Sequence, residues 1–145
     1  MTYKVGDPAP HFTGVSQDGT TISLADFIGK KLVLYFYPKD NTPGCIKQAC
    51  NLRDGYTQLT QEGYAVVGVS NDSVASHHGF AQKYNLPFPL IADTDKTICK
   101  AYGTASKLWF PRRTTFIIDE KGRIERILSS VRVGEHTKQI LNNES

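Results

Sequence analysis

The chain has 145 residues, of which 39% are hydrophobic and 21% charged, with a formal net charge of +3. This composition is typical of a soluble globular protein, and we expect one domain over residues 1–145. The small, scattered positive charge argues against a nucleic-acid or membrane partner, and no apolar run reaches the roughly 20 residues of a spanning helix.

The cysteine count and the N-terminus indicate a reducing compartment. Three cysteines are too few for the disulfide framework of a small secreted protein. The first ten residues, MTYKVGDPAP, contain no apolar stretch like that of a secretory signal. We therefore expect a cytoplasmic location.

The first half of the chain predicts a hairpin, two buried strands and a helix. HFTGVSQDGTTISL alternates around an Asp18-Gly19 turn, which is typical of a β-hairpin. KLVLYFYP is a nearly continuous apolar run, as in a central strand, and it ends at Pro38. In CIKQACNLRDGYTQLTQEG, apolar residues recur every three or four positions and predict one helix from Cys45 to near Gly63. YAVVGVS follows as a second buried strand.

The second half alternates helices and strands. NDSVASHHGFAQKYNL begins with capping residues and predicts a helix, FPLIAD a short strand, and DKTICKAYG a short helix ending at Gly103. TTFIIDEKGRIERIL predicts a hairpin turning at residues 120–122, and GEHTKQILNN a C-terminal helix. This order predicts an α/β domain with a thioredoxin-like fold, in which helices flank a central mixed sheet and the N-terminal β-hairpin is an extension.

Two of the three cysteines, Cys45 and Cys50, lie five positions apart in the predicted helix. Cys45 comes at the helix start, where unpaired N–H groups and the helix dipole favour an anion such as a thiolate. From this position alone, a reactive cysteine and a buried cysteine acting as a small hydrophobic residue remain equal alternatives.

The spacing of the pair also bears on its chemistry. Five residues of helix advance about 7.5 Å and turn roughly 140°, which separates the two Cα atoms by about 8.7 Å. A disulfide needs Cα atoms within about 7 Å. Cys45 and Cys50 can therefore form a disulfide only if the first helical turns unwind. That behaviour suits a cysteine that is oxidised and then resolved by a neighbour, and it does not suit a structural cross-link.

The residues before Cys45 form a stiff loop. Thr42 offers a hydroxyl that can donate a hydrogen bond to a substrate oxygen or to the thiolate. Pro38 and Pro43 limit the conformations of the loop and the access of water. Without the cysteine, the same residues would predict only a turn.

With these residues the chain resembles the peroxiredoxins, whose signature P-x-x-x-T/S-x-x-C matches Pro38, Thr42 and Cys45 in PKDNTPGC. VLYFYP and the TPGC…C spacing resemble the peroxiredoxin Q, or bacterioferritin comigratory protein, subfamily. The resemblance extends from VGDPAPHF through GVSNDS and PLIAD to DEKGRI. In RRTTFIID the spacing to the strand matches the family's active-site arginine to Arg113 rather than Arg112. Many relatives have glutamate three residues after the peroxidatic cysteine, where this chain has Gln48. We interpret this as a tolerated variation, because a neutral amide can keep a hydrogen bond there, and we do not include Gln48 in the predicted site.

The resemblance implies a thiol peroxidase that reduces hydrogen peroxide and organic hydroperoxides. Cys45 would be the peroxidatic cysteine and Cys50 the resolving one, with Thr42, Arg113 and Pro38 positioning the peroxide. A disulfide would form within one chain, which implies a monomer, and thioredoxin or a similar dithiol protein would reduce it. The resemblance implies no metal and no organic cofactor.

Two other functions remain as alternatives. A protein disulfide oxidoreductase would share the fold, but it would normally use a C-x-x-C motif. A non-enzymatic interaction or chaperone-like protein could carry cysteines that only sense redox state. A peroxidase needs both Thr42 and Arg113, whereas a protein disulfide exchanger needs neither.

Several other residues have structural interpretations. We expect Cys99 to be a buried structural thiol. His77 and His78 are adjacent, which makes a poor metal pair, and we assign them to a solvated helix face. Trp109 and Phe110 are predicted either to fill the core or to form a rim of the active-site cleft.

Overall fold

The structure is a computed structural model that describes residues 3–107 and 110–144. Trp109 lies outside the described residues. The strands in chain order are β1 (Thr13–Val15), β2 (Thr21–Ser23), β3 (Lys31–Phe36), β4 (Tyr64–Ser70), β5 (Leu90–Ala92), β6 (Thr114–Ile118) and β7 (Ile124–Leu128). The helices are α1 (Pro43–Asp54), α2 (Tyr56–Gln61), α3 (Val74–Tyr84), α4 (Thr97–Ala101) and α5 (His136–Leu141).

The predicted fold class is confirmed. β1 and β2 form the N-terminal hairpin, and the other strands form a mixed five-stranded sheet in the order β5-β4-β3-β6-β7. β3 and β4 are parallel, as are β4 and β5, whereas β6 runs antiparallel to both β3 and β7. β3 is central and its residues 32–36 are buried, which explains why this segment is apolar throughout.

The sheet separates two hydrophobic cores. On one face α1, α2, α3 and α5 contribute buried residues that pack against β3 and β4, and Cys45 belongs to this core. The N-terminal segment and α4 cover the other face. The predicted helix that carries Cys45 therefore packs in the same core as the central strand of the sheet. Within the described residues, no helix combines the length and apolar composition that crossing a bilayer requires.

The prediction of one helix from Cys45 to Gly63 is wrong, because the helix is divided at Gly55 into α1 and α2. The reason is a close approach of α5. The Thr137 hydroxyl donates a hydrogen bond to the carbonyl of Asn51, 3.0 Å away, which also accepts from the Gly55 N–H. Apolar spacing continues through the break, so periodicity alone cannot detect it.

Replacing Gly55 by alanine should lower the free energy of unfolding by about 1–3 kcal/mol, the usual cost of overpacking. A Cβ atom at this position would lie 2.2 Å from Thr137 Cγ2 and 2.4 Å from its Oγ1. Urea denaturation measures the change. Gly79→Ala in α3 is the matched control, because its Cβ would meet nothing within 4 Å. That control should stabilise the helix by about 0.5–1 kcal/mol. Equal stability of Gly55→Ala and the wild type would contradict the proposed role of Thr137.

Candidate active site

The loop between β3 and α1 is anchored by the buried side chain of Asp40. Its carboxylate accepts hydrogen bonds from the hydroxyl groups of Tyr37 at 2.6 Å and Ser76 at 2.8 Å. His77 Nδ1 lies 2.7 Å from the same carboxylate, and the Asp40 N–H donates to Asp72 Oδ2 at 2.9 Å. None of these partners belongs to α1, so the loop is held in place independently of that helix.

The assignment of His77 to a solvated face is therefore wrong, whereas His78 is exposed as predicted. His77 is fully buried, and its Nε2 lies 3.0 Å from the carbonyl oxygen of Ile91. Donor atoms of Asp40, Asp72 and His77 lie within 4.8 Å of one another, as metal ligands could. Because Asp40 bonds directly to the other two residues, we interpret the group as a hydrogen-bonded network.

Thr42 immediately precedes α1 and has an extended backbone. Its hydroxyl donates to the carbonyl of Lys39 at 2.7 Å and does not cap the helix. The prediction had the hydroxyl donating to substrate or thiolate; in the structure its hydrogen is already used, so the oxygen is left as an acceptor. Pro43 begins α1, where its missing N–H costs no helical hydrogen bond.

Cys45 lies in the first turn of α1 and is only 2% exposed. The first N–H groups of a helix have no intrahelical acceptor and carry the positive end of the helix dipole. The first intrahelical bond here runs from Ile46 N–H to the Thr42 carbonyl, which leaves the preceding N–H groups near the sulfur. The position therefore favours an anion, as the sequence predicted.

Arg113 reaches Cys45 because of the strand order. β6 pairs antiparallel with β3, with Thr114 opposite Phe36, so the residue before β6 lies where the Asp40 loop leaves β3. Arg113 Nη2 donates to Cys45 Sγ at 3.3 Å, and Nη1 donates to Gln48 Oε1. The guanidinium thus connects two residues that lie one turn apart on α1.

Arg112 has a different environment. Its Nη2 donates to the carbonyl of Gly103 at 2.6 Å, away from Cys45. Gly44 makes the approach of Arg113 possible, since a Cβ atom there would lie 3.1 Å from Arg113 Nη2. The choice of Arg113 from its spacing to β6 agrees with this geometry.

Gln48 belongs to this constellation although the sequence analysis left it outside the site. It is fully buried, its Oε1 accepts from Arg113, and its Nε2 has no partner among the described residues. The available signal was its position three residues after Cys45, which puts both side chains on one face of the helix.

Cys50 is half-buried further along α1, and all three cysteines are free thiols. Cys99 is buried in α4, and burial is the main cause that raises its pKa to about 12. Such a thiol stays protonated and unreactive at neutral pH, which agrees with the predicted structural role.

Two buried groups that interact electrostatically with Cys45 or Arg113 are neutral at pH 7. Burial, followed by the nearby Cys45, raises the pKa of Tyr35 well above its ordinary value. Burial also lowers the pKa of His136 to about 4, and Arg113 contributes to that shift. No carboxylate of the described chain lies within ion-pair distance of Arg113. The positive charge of Arg113 is therefore available to the sulfur.

A shallow apolar hollow of about 420 Å³ lies beside the Asp40 loop. It is lined by Pro38, Lys39, Asn71, Asp72 and Phe110. Phe110 is 39% exposed, so the prediction that it forms a rim near the site fits better than a core position. A larger cavity of about 550 Å³, between the N-terminal hairpin and α3, contains none of the predicted site residues.

A buried cysteine in the first turn of a helix, following the central strand of a thioredoxin-like sheet and contacted by an arginine, is an arrangement that suits the chemistry of a reactive thiolate. The AhpC/TSA family matches residues 5–127. The "Putative peroxiredoxin bcp" of Coxiella burnetii is 46% identical over 97% of this chain and 98% of its own length. The chloroplastic peroxiredoxin Q of Triticum aestivum is 44% identical over 94% of this chain, which spans 66% of that protein.

Solved structures agree with these relatives. Peroxidoxin BcpB from Mycobacterium tuberculosis superimposes with a TM-score of 0.91 at 31% identity, covering 97% of this chain and 96% of the other. A mutant of PrxQ from Xylella fastidiosa has a TM-score of 0.91 at 34% identity, covering 99% and 96%. The chain belongs to the AhpC/TSA family, in its peroxiredoxin Q/BCP subfamily. It is a thiol-dependent peroxidase, an antioxidant oxidoreductase whose substrates are peroxides.

Proposed function

We propose that Cys45 is the peroxidatic nucleophile and that Cys50 resolves its oxidised form. The observation that carries this proposal is the 3.3 Å contact between Arg113 Nη2 and Cys45 Sγ at the N-terminus of α1. A permanent cation and a helix N-terminus both stabilise a thiolate, which is the reactive form of cysteine. Cys99 lacks this environment.

In the first step the Cys45 thiolate attacks one oxygen of the peroxide. A sulfur–oxygen bond forms, the O–O bond breaks, and the leaving oxygen departs as water or an alcohol after taking up a proton. Arg113 and the N–H groups at the start of α1 stabilise the charge that develops on that oxygen. The Thr42 oxygen accepts a hydrogen bond from the peroxide and orients it.

The substrates we propose are hydrogen peroxide and organic hydroperoxides. The hollow that Pro38 and Phe110 line begins at the same loop and is mostly apolar, so it suits the hydrocarbon part of an organic hydroperoxide. Pro38 thus has a substrate-positioning role, because it forms both the end of the loop and one wall of the hollow.

In the second step the first turns of α1 open and Cys50 attacks the sulfenic acid. A disulfide forms and water leaves. Opening is required because an intact helix keeps the two Cα atoms about 8.7 Å apart. A dithiol protein of the thioredoxin type then reduces the disulfide by thiol exchange. Both cysteines come from one chain, so we propose that a monomer of one domain, in the cytoplasm, completes the cycle without a metal or organic cofactor.

The test is intact-mass analysis of the reduced protein and of Cys50→Ser after a stoichiometric dose of hydrogen peroxide. We expect the wild type to lose two hydrogens, with the bridge mapped to Cys45 and Cys50. We expect the variant to gain oxygen on Cys45 instead, since no resolving thiol remains. If Cys45 stayed a free thiol while peroxide persisted, the protein disulfide oxidoreductase would become the leading assignment of these cysteines.

A further inference from the structure

Gln48 makes a directional contact with Arg113. Arginine nitrogens can only donate hydrogen bonds, so the Gln48 amide must turn its Oε1 toward Arg113 Nη1. Its Nε2 is then left buried without a partner among the described residues. Burying a polar group without a partner is unfavourable. Within the described residues, the bond to Arg113 is therefore the hydrogen bond that offsets the cost of burying this amide.

Arg113 is also the group that ties the first half of α1 to the rest of the protein. Of the side-chain hydrogen bonds within the described residues, those that join residues 43–50 to other elements are the bonds from Arg113 to Cys45 and Gln48. The buried side chains of this half, Cys45, Gln48 and Ala49, are small or polar. Opening it would expose these side chains and the partly buried Ile46, which packs against the same core, but no large fully buried side chain.

The second half of α1 is fixed separately. Asn51 donates to the carbonyl of Gly134 at 2.9 Å and accepts from the Thr137 N–H at 2.8 Å. Arg53 donates to the carbonyl of Tyr84 at 2.8 Å, and Leu52 is fully buried. With Asp40 holding the preceding loop, residues 43–50 can open while both flanking segments stay attached.

We propose that Gln48 is a positioning residue that, through Arg113, sets how fast residues 43–50 open once Cys45 is oxidised. The inference rests on the proposed roles of Cys45 and Cys50. Before the reaction, Arg113 binds the Cys45 thiolate by a charge-assisted bond. Attack on the peroxide converts that thiolate to a neutral sulfenic acid, which binds Arg113 more weakly. Among the described residues, the Gln48 bond is then the side-chain hydrogen bond that still joins this segment to another element at full strength.

The side chain at position 48 consequently acts on the two steps in different ways. Gln48→Met has a similar volume but only a weakly accepting thioether, so Arg113 loses its orientation and the segment loses its side-chain hydrogen bond to Arg113. The reaction with peroxide should slow and disulfide formation should accelerate, each by about tenfold, the scale of one hydrogen bond to a charged group. Gln48→Glu pairs with Arg113 as an ion pair. It should slow both steps, because it compensates the charge beside the sulfur and strengthens the closed helix.

The experiment is stopped-flow measurement of both rates, with sulfinic acid counted by intact mass at increasing hydrogen peroxide. A second peroxide molecule oxidises the sulfenic acid to sulfinic acid and is reduced to water, in competition with Cys50. We expect less sulfinic acid than wild type in Gln48→Met and more in Gln48→Glu. Gln58→Glu, on the exposed face of α2, adds the same charge elsewhere and should match the wild type.

If Gln48→Met slowed both the reaction with peroxide and disulfide formation, the substitution would simply have disordered the site, and the proposal would be overturned. The proposal would also be overturned if both Gln48 variants formed the disulfide at the wild-type rate. Neither result touches the roles of Cys45 and Cys50, which are tested separately by the Cys45–Cys50 bridge in the wild type and by the gain of oxygen on Cys45 in Cys50→Ser.

Discussion

Replacing Arg113 by methionine should slow the reaction of Cys45 with hydrogen peroxide by about 100-fold or more, the usual cost of removing one donor that stabilises developing negative charge. Methionine fills a similar space without the charge. Both guanidinium contacts, to Cys45 and to Gln48, would be lost together. Competition kinetics against a peroxidase of known rate measures the effect, and circular dichroism checks that the fold is kept.

Arg112→Met is the matched control, since the Arg112 side chain bonds to the Gly103 carbonyl rather than to the sulfur. It should retain nearly all of the wild-type rate. Arg113→Lys should fall between the two, because lysine keeps the charge but cannot bind two acceptors with a planar fork. A folded Arg113→Met protein with the wild-type rate would remove the arginine from the mechanism.

The same variant separates the two enzymatic interpretations of the cysteine pair. In disulfide exchange the thiolate attacks a sulfur, and no oxyanion leaves, so Arg113 has no developing charge on oxygen to stabilise. An enzyme of that kind would lose only the stabilisation of its thiolate when Arg113 is replaced, and therefore less activity than a peroxidase loses. A peroxidase would lose most of its activity toward peroxides when Arg113 is replaced. The guanidinium 3.3 Å from the sulfur would support a thiolate in either enzyme, but only peroxide reduction also needs it to stabilise a leaving oxygen.

The segments that the sequence predicts well are those whose signal is local. β3 is a continuous apolar run because helices cover both faces of the central strand, and periodicity places α1 and Cys45 at its start. Arg113 could be chosen over Arg112 because the resemblance to the peroxiredoxins fixes how far the family's arginine lies before β6. In each case the deciding neighbours are only a few residues away.

The errors arise where the deciding partner is distant along the chain. Gly55 interrupts the helix because of Thr137, and His77 is buried because its partner is Asp40. Gln48 contacts Arg113, which lies 65 residues away. A histidine or glutamine on a helix has the same local signal whether it faces water or a buried partner, so periodicity does not distinguish the two.

Replacing Thr42 by valine should reduce the rate with hydrogen peroxide by about 100-fold, on the scale of losing one positioned hydrogen-bonding group. Valine has nearly the same shape and suits the extended backbone of this residue, with φ −92° and ψ 149°. Because the Thr42 side chain does not cap α1, the helix should keep its stability. The loss should therefore appear mainly in the peroxide reaction, measured by the same competition assay, because the lost hydrogen bond to the Lys39 carbonyl lowers stability by only about 0.5–1.5 kcal/mol.

Thr42→Ser is the control for this prediction, because serine keeps the hydroxyl that donates to the Lys39 carbonyl and leaves its oxygen free to accept from the peroxide. Thr42→Ser should keep most of the wild-type rate with hydrogen peroxide, since the lost methyl group has no part in the chemistry. If valine and serine slowed the reaction equally, shape rather than hydrogen bonding would govern this position. If neither slowed it, the peroxide would be oriented by Arg113 and the N–H groups of α1 alone, and Thr42 would be only a turn residue.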